Sequence, residues 1–411
     1  MNKKKIYLDY AATTPVDSEI LEAMLPYFSK GYGNPMSIHG FGQEALEAVD
    51  EARDRAADFF GCAPSEIFFT SGATESNNLA IKGILKSFRI LQLQTKKDIK
   101  PHIITTKFEH HSVLDVCKAV ERGGFAEITF INPDKEGLIL TRDIEKTIKP
   151  NTILVSIMYV NNEIGTLQPI AEIGKKLKKI NEERQKNKQP RILFHTDATQ
   201  AVNYFNCTVD DLGVDMLSMS AHKIYGPKGV GILYIRKGTP IKNIQQGGDQ
   251  ELKMRAGTHN VPAIVGLGKA ISMIKNQKTK EESNKIKKLR DYLIARVLKE
   301  IPGSYLNGSK NMRSPNNANF RFDDIEGEGL VLSLDLDGIA VSTGSACSSG
   351  ALEPSHVLLS LGLKHEQAHG SLRITLGKHI SREDVELLIL KLKEAVERLR
   401  KISGNVLAEF K

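Results

Sequence analysis

Lys223 stands in "SAHKIYGPKG", where an apolar stretch runs out into small residues and glycines. A lysine is costly to bury as a cation, and a dry pocket lowers the pKa of an amine because desolvation disfavours the charged form. Such an amine is a nucleophile towards a carbonyl and can form a Schiff base. Other polar residues stand at comparable places. "FFTSGATESNN" leads a strand-like run into Gly72, Ala73 and Thr74 at a helix start. Free backbone N–H groups and a hydroxyl there offer an anion site, although Ser71 or Thr74 would equally serve as a plain N-cap. "KFEHHSVL" sets His110 and His111 after another such run, "YVNNEIG" sets Asn162, and "FHTDATQ" sets Asp197 with Gln200 just beyond. Each of these taken alone is also what a cap or a turn uses.

Together they offer an amine, a carboxylate, a flat ring and an anion site. Pyridoxal phosphate needs all four: a lysine for its aldehyde, an acid for its pyridine nitrogen, a hole for its phosphate and a stacking partner. The competing chemistry is metal-assisted hydrolysis, with His110, His111, His195 and Asp197 as ligands for zinc or manganese. Adjacent histidines and an HxD pair are weak signals, and that reading gives Lys223 and the "GATESNN" turn nothing to do. No metal site is expected.

The elements around these residues alternate. "EIFFTS", "HIITT", "AEITFIN", "ILVSIMYVN", "ILFHTD", "DMLSMS" and "GILYIRK" read as strands. They are β-branched and apolar throughout rather than alternating, as strands buried on both faces are. Helical segments lie between them, so the spacing predicts an α/β fold with a mostly parallel sheet covered by helices, and a ligand site at the carboxyl ends of the strands. After about residue 265 the style changes. A long charged amphipathic helix over about 268–300, short strands such as "NANFRF" and "AVSTGS", and a last helix, "REDVELLILKLKEAVERLRKI", predict a smaller α+β unit. The expected division is a large domain over 17–265 and a small one from 1–16 with 266–411.

The 411 residues suit one large and one small domain. Hydrophobic residues at 40% and charged residues at 26% are those of an ordinary globular chain. No apolar run is long enough to cross a bilayer, and "MNKKKIYLDY" has no apolar stretch behind its lysines. A cytoplasmic protein without membrane contact is expected. The net charge of +8 gathers in "KKLKKINEERQKNKQ" and "KNQKTKEESNKIKKLR". Solvated helix faces account for those runs more simply than a surface for RNA or an acidic protein, and no direct nucleic-acid binding is expected. Cys62, Cys117, Cys207 and Cys347 are scattered, with no CxxC pair. Cys347 alone lies among serines and glycines, in "STGSACSSGALEPS", the composition of an exposed and mobile loop.

In order along nearly the whole chain, "YLDYAATTPV", "YGNPMSIHGFG", "FTSGATESNN", "EHHSVL", "NNEIGTLQPI", "HTDATQ", "SAHKIYGPKGVG", "RAGTHNVPAIVG", "STGSACSSGALEPSHVL" and "SLRITLG" resemble the motifs of the cysteine desulfurases. These are pyridoxal-phosphate enzymes of fold type I, the aspartate-aminotransferase fold. The resemblance implies that Lys223 is the Schiff-base lysine, that Asp197 pairs with the pyridine nitrogen, and that His110 stacks on the ring and serves acid/base steps. It gives Asn162 and Gln200 to the ring hydroxyl, and Ala73, Thr74, Ser220 and His222 to the phosphate. Thr258 would reach the phosphate site of a neighbouring subunit, which implies a homodimer. Arg373, with Asn34, would bind the substrate carboxylate, a task that suits an Arg fork. Cys347 would be the nucleophile, on a loop of the long type found in members that serve iron–sulfur assembly or tRNA thiolation.

The implied reaction turns L-cysteine into L-alanine and leaves sulfur on Cys347 as a persulfide for an acceptor protein, either an iron–sulfur scaffold or a tRNA-thiolation protein. A selenocysteine lyase or another fold type I enzyme is the alternative. A sulfur-carrying scaffold without catalysis is a third reading, against which the intact Lys223 argues. Two departures stand out. Ala221 replaces a serine found in many relatives, and the tail "ISGNVLAEFK" does not resemble the segment by which housekeeping members hold the cluster scaffold.

Overall fold

The structure is a computed structural model that describes residues 4–96, 99–274, 277–344 and 353–409. Its strands are β1 (Ile6–Tyr7), β2 (Ile67–Thr70), β3 (His102–Thr106), β4 (Glu127–Ile131), β5 (Thr152–Ser156), β6 (Leu193–Asp197), β7 (Met216–Ser220), β8 (Gly231–Ile235), β9 (Ser304–Leu306), β10 (Asn317–Phe322), β11 (Ile339–Ala340) and β12 (Ser371–Thr375). Seven of them form one sheet in the order β2-β8-β7-β6-β5-β3-β4. Only β8 runs against its neighbours, so β2, β3, β4, β5, β6 and β7 all end on the same edge.

Successive residues of each strand feed two different cores. Phe68, Ile103, Leu154, Leu193, Met216 and Leu233 point to one face. Phe69, Ile104, Val155, Phe194, Leu217 and Ile232 point to the other. This is why the strands read as unbroken apolar runs. The helices Ala73–Thr95 and His111–Arg122 pack together over the first face. On the other side the helix Gly40–Phe60 packs against Val261–Ile274.

Around the expected helix over 268–300, the described residues Val261–Ile274 and Gln277–Glu300 are helical. The first is apolar and docks closely: a Cβ on Gly268 would lie 2.7 Å from the Ala52 Cα. The expected domain boundary at 265 falls inside it. "AVSTGS" is also less regular than expected. Its strand is limited to β11, which pairs in parallel with β1, and Ser342 then makes a lone bridge to Arg373. The chain leaves strand geometry at Gly344, whose φ of +52° lies in the left-handed region. β12, β10 and β9 form a small antiparallel sheet.

The segment after β1 straps the two sheets together. Ala11 N–H donates to Thr375 Oγ1 at 2.9 Å, and Thr14 N–H donates to the His222 carbonyl at 2.9 Å. A second tie runs through Glu251, which is 5% exposed. It accepts from Arg53 Nη2 at 2.7 Å, from Phe69 N–H at 2.7 Å and from His259 Nε2 at 2.7 Å. Glu251, Leu252 and Lys253 all have positive φ, at 50°, 54° and 67°. Non-glycine residues pay roughly 1–2 kcal/mol each for that conformation, so the buried ion pair must hold the turn against its own backbone.

Burial alone would raise the Glu251 pKa, but the hydrogen bonds from His259, Arg53 and the Phe69 N–H, with the Arg53 charge, hold it down to about 2. A depressed carboxylate adds stability above its unfolded pKa and loses it as pH falls through the folded value. Wild type is therefore expected to lose about 3 kcal/mol from this group between about pH 5 and pH 2. Glu251→Gln should be less stable at pH 7 and show a flatter acid limb in urea melts. Parallel curves for the two proteins would refute the assignment.

Candidate active site

A cavity of about 580 Å³ opens at the carboxyl ends of β2, β6 and β7. Ala73, Thr74, His110, Asn162, Asp197, Gln200, Ser220, His222, Lys223 and Arg373 all line it. Asn34 and Thr258 do not. Both are exposed on this chain, and Asn34 turns its Oδ1 to the Met36 N–H at 3.0 Å. Cys347 lies outside the described residues.

β7 runs into a single turn of 3-10 helix, Ala221–Lys223, which carries Lys223 to the cavity wall. Lys223 Nζ donates to the carbonyls of Ala11 and Ala12, each at 2.6 Å. Gln200 Nε2 donates to the same Ala11 carbonyl at 2.9 Å. At the end of β6, Asp197 is held by Asn77 Nδ2 at 2.7 Å and by the Thr199 N–H at 3.0 Å. Asn77 also donates to Ser112 Oγ at 2.8 Å, and Ser112 Oγ bonds His110 Nδ1 at 2.8 Å. A carboxylate, an amide, a hydroxyl and an imidazole thus form one chain.

His110 is the N-cap of His111–Arg122, and its Nδ1 accepts the Ser112 N–H at 3.1 Å. The neutral ring therefore keeps its proton on Nε2. Burial lowers the His110 pKa, and Lys223, His111 and His356 lower it further against the pull of Asp197. His222 is pushed down to about 4 by burial and by Lys223 and Lys228, and its Nδ1 bonds Thr13 Oγ1 at 3.1 Å. Both imidazoles are neutral at pH 7.

The cavity wall at the start of the helix Ala73–Thr95 is built from Gly72. At φ 149° and ψ 177° it takes a conformation open only to glycine, and the helix Ala73–Thr95 begins there with no side-chain cap. A Cβ on Gly231 would lie 2.7 Å from the Gly72 Cα, so the neighbouring strand also needs glycine. Arg255 bonds Glu75 in the first turn at 2.9 Å. Burial would raise the Glu75 pKa, but bonds from Arg255 and Ser71 hold it below the usual range.

Arg373 is buried and engaged: Nη2 pairs with Asp9 Oδ1 at 2.8 Å and Nη1 donates to the Asn162 carbonyl at 3.1 Å. Its Nε has no partner, nor have the buried Asn162 Oδ1, Thr199 Oγ1 and Asn77 Oδ1. Three of these four orphans belong to residues that line the cavity. Desolvated polar groups without partners are costly, and a polar ligand would meet them. The set of donors, acid and amine around one cavity fits pyridoxal phosphate.

The candidate metal ligands are used otherwise. His195 spends both ring nitrogens on Ser156 Oγ at 2.8 Å and Ser218 Oγ at 3.0 Å, and burial lowers its pKa to about 4. His111 Nδ1 turns to Asp115 at 3.1 Å. The described thiols are equally unsuited to attack. Burial pushes Cys62 and Cys207 up to about 12 and Cys117 higher still.

The sequence reading does not single out Asp9, Ala11, Ala12, Asn77, Ser112 or Thr199. Asn77 was visible in principle, since it lies one helical turn beyond Ala73 and so on the same inward face. The strap residues left no signal, because their backbone carbonyls do the bonding.

The class-V aminotransferase family pattern matches residues 6–388. The chain is 50% identical over 401 residues to a cysteine desulfurase IscS of Dictyoglomus turgidum, covering 98% of this chain and 97% of that one. Among solved structures it is similar to a NifS-like protein, with TM-score 0.86 and 36% identity over 96% of this chain and 100% of that one. It is also similar to a structure described as SspA in complex with cysteine, with TM-score 0.76 and 36% identity over 92% of this chain and 100% of that one.

The tautomer and burial of His110 give a direct test. Its imidazole should titrate below the ordinary value of about 6.5 in NMR, with His222 near 4. Ser112→Ala removes the hydroxyl but keeps the N–H cap, so the midpoint should stay low. A His110 midpoint above 7 would remove both the burial argument and the assignment of its proton.

Proposed function

The chain belongs to the class-V aminotransferases and, among them, to the cysteine desulfurases, pyridoxal-phosphate enzymes that mobilise sulfur from cysteine, and we propose that it does so through Lys223, His110 and Cys347. The observation that carries this reading is the meeting of Lys223, Asp197, the Gly72 turn and Gly344 around one cavity. Gly344 matters because Cys347 follows it by three residues. Extended chain spans at most about 3.6 Å per residue, so the Cys347 Cα lies within about 11 Å of the Gly344 Cα.

Lys223 would anchor the cofactor, with Asp197 at its ring nitrogen and Asn162 and Gln200 at its hydroxyl. Ala73, Thr74, Ser220 and His222 would take the phosphate. When bound, pyridoxal phosphate supplies an electron sink for the pair left when a proton leaves the substrate's α-carbon. The Lys223 amine is the base that takes that proton. Arg373 gives the substrate carboxylate a cation whose plane Asp9 and the Asn162 carbonyl hold fixed. His110, with its proton on Nε2, offers a hydrogen bond to a thiolate rather than taking a proton. The Cys347 thiolate attacks the substrate sulfur: an S–S bond forms, the C–S bond breaks, and its electron pair stays with carbon. Protonation there completes alanine and leaves a persulfide. A free thiol is only a few per cent thiolate at pH 7, so local help for Cys347 is required.

The working unit is a homodimer in this reading. Leu25, Phe28, Tyr32, Met36, Ile38 and Phe41 are all exposed within one short stretch of chain, with Ile38 96% exposed. Exposed apolar side chains gathered in so short a stretch suit a surface that a partner covers. Asn34 lies inside it and Thr258 stands on the turn that Glu251 anchors. Both would complete the cavity of a second copy. Cysteine is the substrate, as the cysteine complex of the similar SspA structure suggests. The acceptor is an iron–sulfur scaffold or a tRNA-thiolation protein. No helix among the described residues is long and apolar enough to cross a membrane, and the protein would work in the cytoplasm.

Cys347→Ser tests the central step. It should bind cofactor and cysteine as wild type does, release almost no sulfide and carry no persulfide. Radioactive cysteine sulfur should map to the Cys347 peptide of wild type under non-reducing conditions. Label on Cys62, Cys117 or Cys207, or full sulfide release by the variant, would end this mechanism.

The dimer has its own check. Leu25→Asp with Ile38→Asp should give a monomer by light scattering, with weaker cofactor retention and little turnover. A fully active, cofactor-saturated monomer would show that Thr258 completes no partner site.

A further inference from the structure

Glu163 is a buried carboxylate that the reaction above does not use. It follows Asn162 in "NNEIG" and is 3% exposed. Its backbone is fixed on both sides. The Glu163 N–H donates to Asn161 Oδ1 at 2.9 Å, and its carbonyl accepts from Asn317 Nδ2 at 3.0 Å and Asn319 Nδ2 at 3.1 Å. A carboxylate taken out of water loses several kcal/mol of solvation, so its contacts need a reason.

Those contacts are the two ends of the connection that carries Cys347. A Cβ on Gly344 would lie 2.7 Å from Glu163 Oε2, so the Gly344 backbone rests against the carboxyl group. From the other end, Ser355 Oγ donates to the same Oε2. Ser355 is also the N-cap of the helix His356–Ser360, accepting the Leu358 N–H at 3.2 Å. One oxygen therefore bonds the chain after Cys347 and lies close to the chain before it. The frame continues into the substrate end of the cavity. Arg373 N–H donates to the Ser342 carbonyl at 2.6 Å and Ser342 N–H donates back at 3.2 Å.

We infer that Glu163 is a positioning residue for sulfur transfer, bonding Ser355 while packing against Gly344 so that Cys347 stays within reach of the substrate sulfur. This rests on the reading of Cys347 as the acceptor thiol. Fixing both ends of a short connection shrinks the volume that its middle can explore and raises the effective concentration of whatever it carries. Releasing one end does the reverse without touching the cofactor.

The test uses the full-length, cofactor-loaded enzyme with Glu163→Ala and Glu163→Gln. Persulfide formation on Cys347 is followed in a single turnover with radioactive cysteine, beside the cysteine-induced change in cofactor absorbance. Glu163→Ala should form persulfide at least about tenfold more slowly, while cysteine gives the same absorbance change at the same concentrations. Glu163→Gln keeps an oxygen for the Ser355 hydroxyl and should recover most of the rate. A wild-type persulfide rate in Glu163→Ala overturns the inference, as does a loss that merely follows a lost response to cysteine. If Glu163→Ala fails to hold cofactor, Ser355→Ala is read in its place with the same two outcomes. Cys347→Ser is run in parallel. Full persulfide formation by that variant would sink the acceptor reading itself, whereas an inert Cys347→Ser beside a normal Glu163→Ala sinks only the role of Glu163.

Discussion

The site depends on how a lysine is held at the end of a core strand. Lys223 Nζ is received by two carbonyls of the strap, those of Ala11 and Ala12. The strap itself is pinned at Thr375 on one side and at His222 on the other. Lys223, Gln200 and the small sheet thereby share a single stretch of backbone. Carbonyls orient an ammonium without adding a second titrating group, so the donor geometry does not change with the charge of a partner.

The sheet supplies the rest. Because β8 alone is reversed, six strands deliver their last residues to one edge. Each ending is then specialised by the residues that follow it. β2 ends in the Gly72 turn, β6 in Asp197 and β7 in the Lys223 turn. Polar groups at that edge support one another, and the chain from Asp197 through Asn77 and Ser112 to His110 sets the charge of the first beside the neutral ring of the last.

Much of this was legible in the sequence for a physical reason. A strand buried on both faces must be apolar, so each polar residue at its end stands out, as Lys223, Asp197 and His110 do. The seven main strands could be read that way. Contacts made by backbone left no trace, and so the strap carbonyls of Ala11 and Ala12 were invisible. The engaged state of Arg373 was equally hidden, because the resemblance names its fork but not Asp9, which holds it. The start of the helix at Val261 was missed because its apolar first turns read like another core element until Gly268 is seen against Ala52.

The packing around three thiols, two buried and one half-buried, has a consequence for fidelity. Persulfide sulfur moves between thiols by attack of a thiolate, at a rate set by the thiolate fraction. With pKa values of about 12, Cys62 and Cys207 would present roughly one thiolate in 10⁵ molecules at pH 7. Cys117, buried and raised further, would present fewer still. Sulfur loaded at one position thus has almost no route to leak sideways within its own chain. The core packing that stabilises the fold also insulates the cargo.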